Sequence, residues 1–149
     1  MNVNQTAGTT PVTVNAAPLS PGQSFNLITL SAKLSFSTTT FDLNSTLTLP
    51  QGTSSSVINP PTQPVSLRIG TFSTTIPAGS FQKNPGGWAF QGTVNGVRLD
   101  ALISPLSAGQ FQVQASGSGA NMAGTLNPVT VKVTIGNYAG IAAIKAQIN

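Results

Sequence analysis

The amino-acid sequence predicts an all-β fold: an antiparallel β-sandwich, or a flattened barrel, of about 8–10 strands built from two similar halves. Three observations lead to this prediction. Apolar and polar residues alternate along most of the chain, as they do in strands that bury one face. Turn signals such as Asn-Gly and Pro-Gly-Gly separate the alternating segments. Two stretches of the chain also resemble each other.

The alternation assigns a core-facing side to each predicted strand. Successive side chains of a strand point to opposite faces of its sheet, so every second residue enters the core. In the first part of the chain we expect these residues to face the core: Leu30, Ala32, Leu34, Phe36, Phe41, Leu43, Leu47, Leu49, Val65, Leu67, Ile69, Phe72, Thr74 and Ile76. Near the C-terminus the corresponding residues are Val129, Val131, Val133 and Ile135.

The segment VNGV at Val94–Val97 is the strongest local signal. Asn-Gly accepts the two positive φ angles of a type I′ turn, whose twist matches that of the flanking strands. We therefore predict a tight hairpin with arms at Trp88–Val94 and Val97–Ile103.

The C-terminal segment IAAIKAQI fits two structures. Ile141, Ile144 and Ile148 have helical spacing, whereas the set Ala142, Ile144, Ala146 and Ile148 fits one face of a strand. The surrounding sheet pattern favours a strand.

Two parts of the chain, about 28–76 and 97–148, predict an internal duplication. Thr40–Leu47 followed by Pro64–Phe72 corresponds to Gln110–Gly117 followed by Pro128–Tyr138. A duplicated four-strand unit that packs on itself gives a sandwich or a barrel. The sequence of 149 residues has the length of one domain, and we assign 25–149 to it.

Residues 1–24 form an N-terminal arm rich in Asn, Thr, Pro and Gly, with one strand-forming segment at about 10–16. This segment contains Pro11, Val12, Thr13 and Val14, a third copy of a phrase that recurs as PVSLR at Pro64 and as PVTVK at Pro128. The arm has no half of its own. We expect it to close an edge of its own sandwich or to add a strand to another copy.

Charge is scarce, since only 5% of the residues are charged, against about 25% in ordinary soluble proteins. The net charge of +4 reflects six basic residues against two acidic ones, and even the nearest two bases, Lys132 and Lys145, are far apart in sequence. No local basic run is present, so we expect no nucleic-acid partner. A sheet protein without charges also lacks the usual protection of strand edges against association.

The residue types exclude most catalytic chemistry. The chain has no cysteine and no histidine, which removes disulfides, thiolate metal sites and imidazole bases. Asp42 and Asp100 are the two acidic side chains, and the pattern places both on solvent-facing positions near Lys33 or Arg98. Ser80–Lys83 matches Ser-x-x-Lys but lies in strand context rather than at a helix start. We expect no enzyme, no metal and no cofactor.

Aromatic side chains offer an alternative function, because flat rings stack on sugar faces. Trp88 and Tyr138 each follow a glycine-containing turn and are the candidate ligand aromatics. Alternation also places Trp88 on one face with Phe90, which favours a core position for it. Tyr138 fits either role.

No apolar run reaches the length of a membrane span, and the first residues, MNVNQTAGTT, do not resemble a signal peptide. The surface rich in Ser, Thr, Asn and Gly favours an extracellular or cell-surface location, with a signal peptide already removed.

The phrases LTLP, PVSLRIGTF, GSF, GGWAFQG, QFQVQASG and NPVTVKVTIG extend from Lys33 to Gly140. This part of the chain resembles the functionally uncharacterised repeated β-modules of secreted or surface proteins from environmental bacteria. The resemblance implies a sandwich fold and an exported location, and it transfers no catalytic residues.

These observations predict a non-enzymatic extracellular structural or assembly subunit. It would self-associate into a homo-oligomer or homopolymer, such as a filament or surface layer, through β-strand addition by the arm. The alternative is a carbohydrate-binding or adhesion module that uses exposed aromatic residues.

Overall fold

The computed structural model describes residues 23–149, which form two β-sheets packed face to face. Two single 3-10 turns at Ser55–Val57 and Pro60–Thr62 interrupt the loop between Thr48 and Val65. The strands are β1 (Gln23–Ser24), β2 (Asn26–Ser35), β3 (Thr40–Thr48), β4 (Val65–Ile69), β5 (Phe72–Ile76), β6 (Gln82–Asn84), β7 (Gly87–Val94), β8 (Val97–Ser107), β9 (Gln110–Ser118), β10 (Val129–Ile135), β11 (Tyr138–Ile144) and β12 (Gln147–Ile148).

One sheet has seven strands in the order β12-β2-β3-β9-β8-β7-β6, and the other has five in the order β1-β11-β10-β4-β5. Neighbouring strands are antiparallel except at two short contacts, where β1 runs parallel to β11 and β12 runs parallel to β2. The prediction of an all-β sandwich is confirmed. The sheets do not close on each other, so the flattened-barrel alternative is wrong.

Nine of the strands described between residues 23 and 149 have five or more residues, and three have only two or three. The predicted number of about 8–10 strands matches the longer set. The three short strands, β1, β6 and β12, pair through backbone groups and carry too few residues to show an alternation.

The strand order repeats the same arrangement in both halves of the chain. In the seven-stranded sheet β3 pairs with β9, and their hairpin partners β2 and β8 lie outside them. In the five-stranded sheet β4 pairs with β10, and β5 and β11 lie outside them. The segments that resemble each other in sequence thus occupy equivalent positions, while their common origin by duplication stays a prediction.

The core lies between the sheets and contains nearly all the residues that alternation assigned to it. Val129, Val131, Val133 and Ile135 are buried along β10, as predicted. Two of the predicted core residues are exposed. Phe36, which is 39% exposed, lies in the turn between β2 and β3, and Leu30 is 58% exposed. The pairing of β2 with β3 shifts register at this residue, and such a β-bulge reverses the inward and outward positions beyond it. Leu27 and Ala32 therefore both face the core.

The predicted hairpin at Val94–Val97 is present, with β7 and β8 as its arms. Asn95 has φ 50° and Gly96 has φ 80°, as a type I′ turn requires. The C-terminal segment forms strands rather than a helix, since β11 ends at Ile144 and β12 follows. Ile141 faces solvent and Ala146 is buried, which is the strand pattern.

Candidate functional site: sheet edges and surface depressions

The unpaired edges of the two sheets are the first candidate site, because an open strand edge can pair with another chain. Three of the four edges end in a very short strand. β1 covers Tyr138–Ala139 of β11, β12 covers Lys33–Leu34 of β2, and β6 covers Gly87–Ala89 of β7. Within residues 23–149, no strand pairs with the outer side of β5 anywhere along its length.

β5 reads FSTTI and carries no charge. Phe72, Thr74 and Ile76 are buried against the other sheet, and Ser73 and Thr75 face solvent. The Thr74 hydroxyl is buried without a hydrogen-bond partner among the described residues. Lysines, prolines and bulges normally protect an edge strand from association, and β5 has none of these between its ends.

The start of β5 is held in place by the loop that precedes β10. The backbone N–H of Thr71 donates to Thr125 Oγ1 at 3.1 Å, and Thr71 Oγ1 donates to the carbonyl oxygen of Ala123 at 2.9 Å. Gly70 is required beside this contact because its φ is 58° and a Cβ there would collide with Thr125. The hairpin of β4 and β5 is thus fixed at its turn.

The side of the sandwich opposite β5 is closed at two places where the chain passes from one sheet to the other. The chain leaves β1 in the five-stranded sheet and enters β2 in the seven-stranded sheet, with Phe25 buried between them. It makes the same change, from the five-stranded to the seven-stranded sheet, between β11 and β12 at Ala146. Both backbone polar groups of Ala146 hydrogen-bond to the side-chain amide of Asn127, which takes the place of a neighbouring strand's backbone.

The predicted donor residues, Pro11, Val12, Thr13 and Val14, lie outside the described residues. The other two copies of their phrase do lie within them. Val65 begins β4 and Val129 begins β10, and these two strands pair with each other in the five-stranded sheet. The first described residue, Gln23, pairs with Tyr138 on the far edge of the same sheet from β5.

Trp88 lies in a depression of about 410 Å³ on the seven-stranded side. Its ring is half-buried, packs against the core and stands 6.2 Å from the ring of Phe111, centroid to centroid. Pro105 and Ile58 add apolar surface. The rim is polar and consists of Ser55, Ser56, Asn59 and Ser107. Trp88 thus serves the core and also lines a groove of aromatic and hydroxyl groups.

Tyr138 is not part of this groove. It begins β11, pairs with Ile135 across the turn and with Gln23 on its other side, and is half-buried against the core. The structure therefore keeps the two candidate ligand aromatics in separate places, on different sheets.

The two acidic side chains meet in one depression of about 430 Å³ on the outer face of the seven-stranded sheet. Asp42 lies opposite Lys33 on β2 and opposite Ser116 on β9, and Ser116 lies opposite Asp100 on β8. Arg98 lines the same depression. Sequence reasoning placed each acid near a base but did not bring the pair together, because the β3–β9 neighbourhood depends on the strand order.

The depression contains no third Asp or Glu side chain. Among residues 23–149, the structure shows no group of three or more His, Cys, Asp or Glu side chains that could hold a metal ion. Ser80 and Lys83 lie in a turn and in β6, so the Ser-x-x-Lys match is not on a helix.

In the part of the chain that the structure describes, no helix has both the length and the apolar character needed to cross a membrane. No family model, curated protein or solved structure matches the chain.

Proposed function

We propose that this protein is a non-enzymatic structural subunit that self-associates by β-strand addition through its N-terminal arm, in an extracellular filament or surface layer. The observation that carries the proposal is the uncharged edge of β5, which no strand covers among residues 23–149, whereas a short strand covers two or three residues of each other edge. A free edge of this kind pairs readily with an added strand.

The sequence of the arm supports its role as the added strand. Its phrase PVTV has the same order of proline, β-branched and apolar residues as the beginnings of β4 and β10. Val12 and Val14 would enter the core side of a sheet while Thr13 faces water. The arm also carries no charge that would oppose pairing with another neutral strand.

The composition supports a structural role over an enzymatic one. Acid–base catalysis uses groups with separated pKa values in a shielded site. Asp42 and Asp100 instead line an open depression on a sheet face, together with Lys33 and Arg98. The Ser, Thr and Asn surface, nearly free of charge, supports the extracellular location.

Deletion of residues 1–20 tests the proposal, because it removes the arm but leaves β1 in place. We expect the full-length protein to elute as large species in size-exclusion chromatography and to show polymers by electron microscopy. The deletion should leave a folded monomer. Unchanged assembly after the deletion would contradict the proposal.

A full-length variant provides a sharper form of the same test. Val12→Lys combined with Val14→Lys places two charges on the face that should become buried, and assembly should be lost. The matched control is Asn2→Lys combined with Gln5→Lys, which adds the same charge outside the strand-forming segment. The control should assemble like the unmodified protein.

Glycan binding is the second candidate, and the groove around Trp88 favours it over a site at Tyr138. An aromatic ring flanked by hydroxyl and amide groups can stack on a sugar and hydrogen-bond its hydroxyls. We expect any glycan-array signal to disappear in Trp88→Ala and to persist in Tyr138→Ala, with both variants folded by circular dichroism. Signals equal to the parent in Trp88→Ala would exclude this site.

A further inference from the structure

We propose that β5 is the acceptor strand of the assembly and that it binds Pro11–Asn15 of a second copy. This inference rests on the proposed function, because it assumes that the arm of one copy joins another. It adds which edge receives the arm and which residues pair. The two chains would then join head to tail through the five-stranded sheet.

Backbone geometry directs the hydrogen-bonding groups of β5 away from β4 at two positions. Gly70 and Thr71 form a two-residue loop, so the flanking pair Ile69 and Phe72 bond to each other and bonded pairs then alternate along the hairpin. Phe72, Thr74 and Ile76 therefore direct their backbone groups toward β4. Ser73 and Thr75 direct theirs outward, where an added strand can bond to them.

The side chains of donor and acceptor also match. With Val12 and Val14 turned toward the core, they continue the buried row of Phe72, Thr74 and Ile76, and Thr13 joins the polar outer face beside Ser73 and Thr75. Neither segment carries a charge.

The acceptor is already ordered before any partner arrives. The bonds from Thr71 to Thr125 and Ala123 fix the turn where β5 begins, and Pro77 follows directly after it ends. A fixed strand has little conformational freedom left to lose on pairing, which favours association.

The register of the five-stranded sheet gives the distance between Gln23, the first described residue, and the proposed acceptor strand β5. Gln23 lies opposite Tyr138, Tyr138 opposite Ile135, Ile135 opposite Val65, and Val65 opposite Ile76. Gln23 and Ile76 thus stand at the same end of the sheet, four strand spacings or about 19 Å apart. The start of the described chain and the proposed acceptor occupy opposite edges.

A donor at one edge and an acceptor at the other form a heterologous contact, which extends into an open chain unless the rotation between copies closes it. Pairing within one copy would instead require residues 15–22 to cross the end of the whole sheet. Nine residue steps from Val14 to Gln23 span at most about 30 Å, and a strand added beside β5 would lie five strand spacings, or about 24 Å, from β1. This route would hold residues 15–22 close to full extension, so we assign the occupant of β5 to a second copy.

Cysteine cross-linking tests the assignment directly, because the chain has no cysteine of its own. Thr13→Cys is mixed with Ser73→Cys or Thr75→Cys, oxidised, and analysed by non-reducing gel and peptide mass spectrometry. We expect a dimer linked between position 13 and position 73 or 75. Thr93→Cys, which is exposed on the uncovered part of β7, is the matched control and should not cross-link to position 13.

The double variant Thr13→Cys, Thr75→Cys separates the two modes of pairing. Disulfide-linked ladders support pairing between copies, whereas a monomer with an internal disulfide overturns it. Cross-linking of position 13 to Thr93→Cys in place of β5 also overturns the assignment.

A proline on the edge provides the functional test. Thr75→Pro removes an outward N–H and leaves the bonds to β4, so the variant should fold but fail to assemble. Thr75→Val keeps the N–H and should assemble. Normal assembly of a folded Thr75→Pro variant would overturn β5 as the acceptor; if deletion of residues 1–20 still abolished assembly, the proposed function would stand. Should Thr75→Pro not fold, the cross-links decide.

Discussion

Asn127 holds Ala146 by both of its backbone polar groups. Asn127 Nδ2 donates to the carbonyl oxygen of Ala146 at 3.0 Å, and the N–H of Ala146 donates to Asn127 Oδ1 at 2.7 Å. The bonds stand where the chain passes from β11 to β12 and so changes sheet. They help to close the side of the sandwich opposite β5.

Asn127→Ala should therefore destabilise the fold by about 1–3 kcal/mol, because it leaves two partly buried backbone groups unpaired. Urea unfolding followed by tryptophan fluorescence measures this change. Asn121→Ala is the control, since that side chain accepts one exposed bond from Ala123, and its effect should stay within about 0.5 kcal/mol. Equal effects of the two substitutions would contradict the role of Asn127.

Gly140→Ala should destabilise the same side of the molecule. A Cβ at Gly140 would lie 2.6 Å from a ring carbon of Phe25 and 2.8 Å from its carbonyl oxygen. Relieving such overlap in a packed core costs about 1–3 kcal/mol. Thermal unfolding should show a lower Tm than for Gly86→Ala, where a Cβ meets only open space and one side-chain oxygen at 3.8 Å.

Asn95→Gly should be tolerated at the β7–β8 turn, whereas Asn95→Ala should lower stability by about 1 kcal/mol. Residue 95 has φ 50°, a conformation that Gly and Asn adopt more easily than other residues. Comparison of the two variants by chemical unfolding isolates the backbone effect, since neither has a polar side chain. A stable Asn95→Ala variant would show that the turn does not need this conformation.

Lys132→Thr should raise stability slightly at low salt. Lys132 lies directly opposite Arg68 on the outer face of the five-stranded sheet, and like charges in that position repel each other. The gain should be at most about 1 kcal/mol and should shrink in 1 M NaCl, because salt at about that concentration screens charges beyond roughly 3 Å. A gain that is independent of salt would point to strand propensity instead of charge.

Most of the fold was predictable because nearly every long strand buries one face and leaves the other in water. β3 and β10 show this most clearly, and their buried residues follow the predicted alternation. The prediction for Leu30 was wrong because a β-bulge adds one residue to the strand, and no local sequence pattern indicates that bulge. The pairing of β12 with Lys33 and Leu34 could not be predicted, because it joins residues that are distant in sequence.

The surface sites could be predicted only in part, since they depend on strand order. Trp88 was identified as a candidate, but its groove also needs Ser55, Asn59 and Ser107 from two other parts of the chain. The open edge of β5 could not be located from sequence, because FSTTI alternates like any other strand. Its position at the edge appears only when the sheet order is known.

Sedimentation velocity of the full-length protein over a wide concentration range tests the central claim most directly. Self-association through the arm predicts species well above the 15.1 kDa of one chain, with a mass that grows as the concentration rises. A single 15.1 kDa species at every concentration would contradict it.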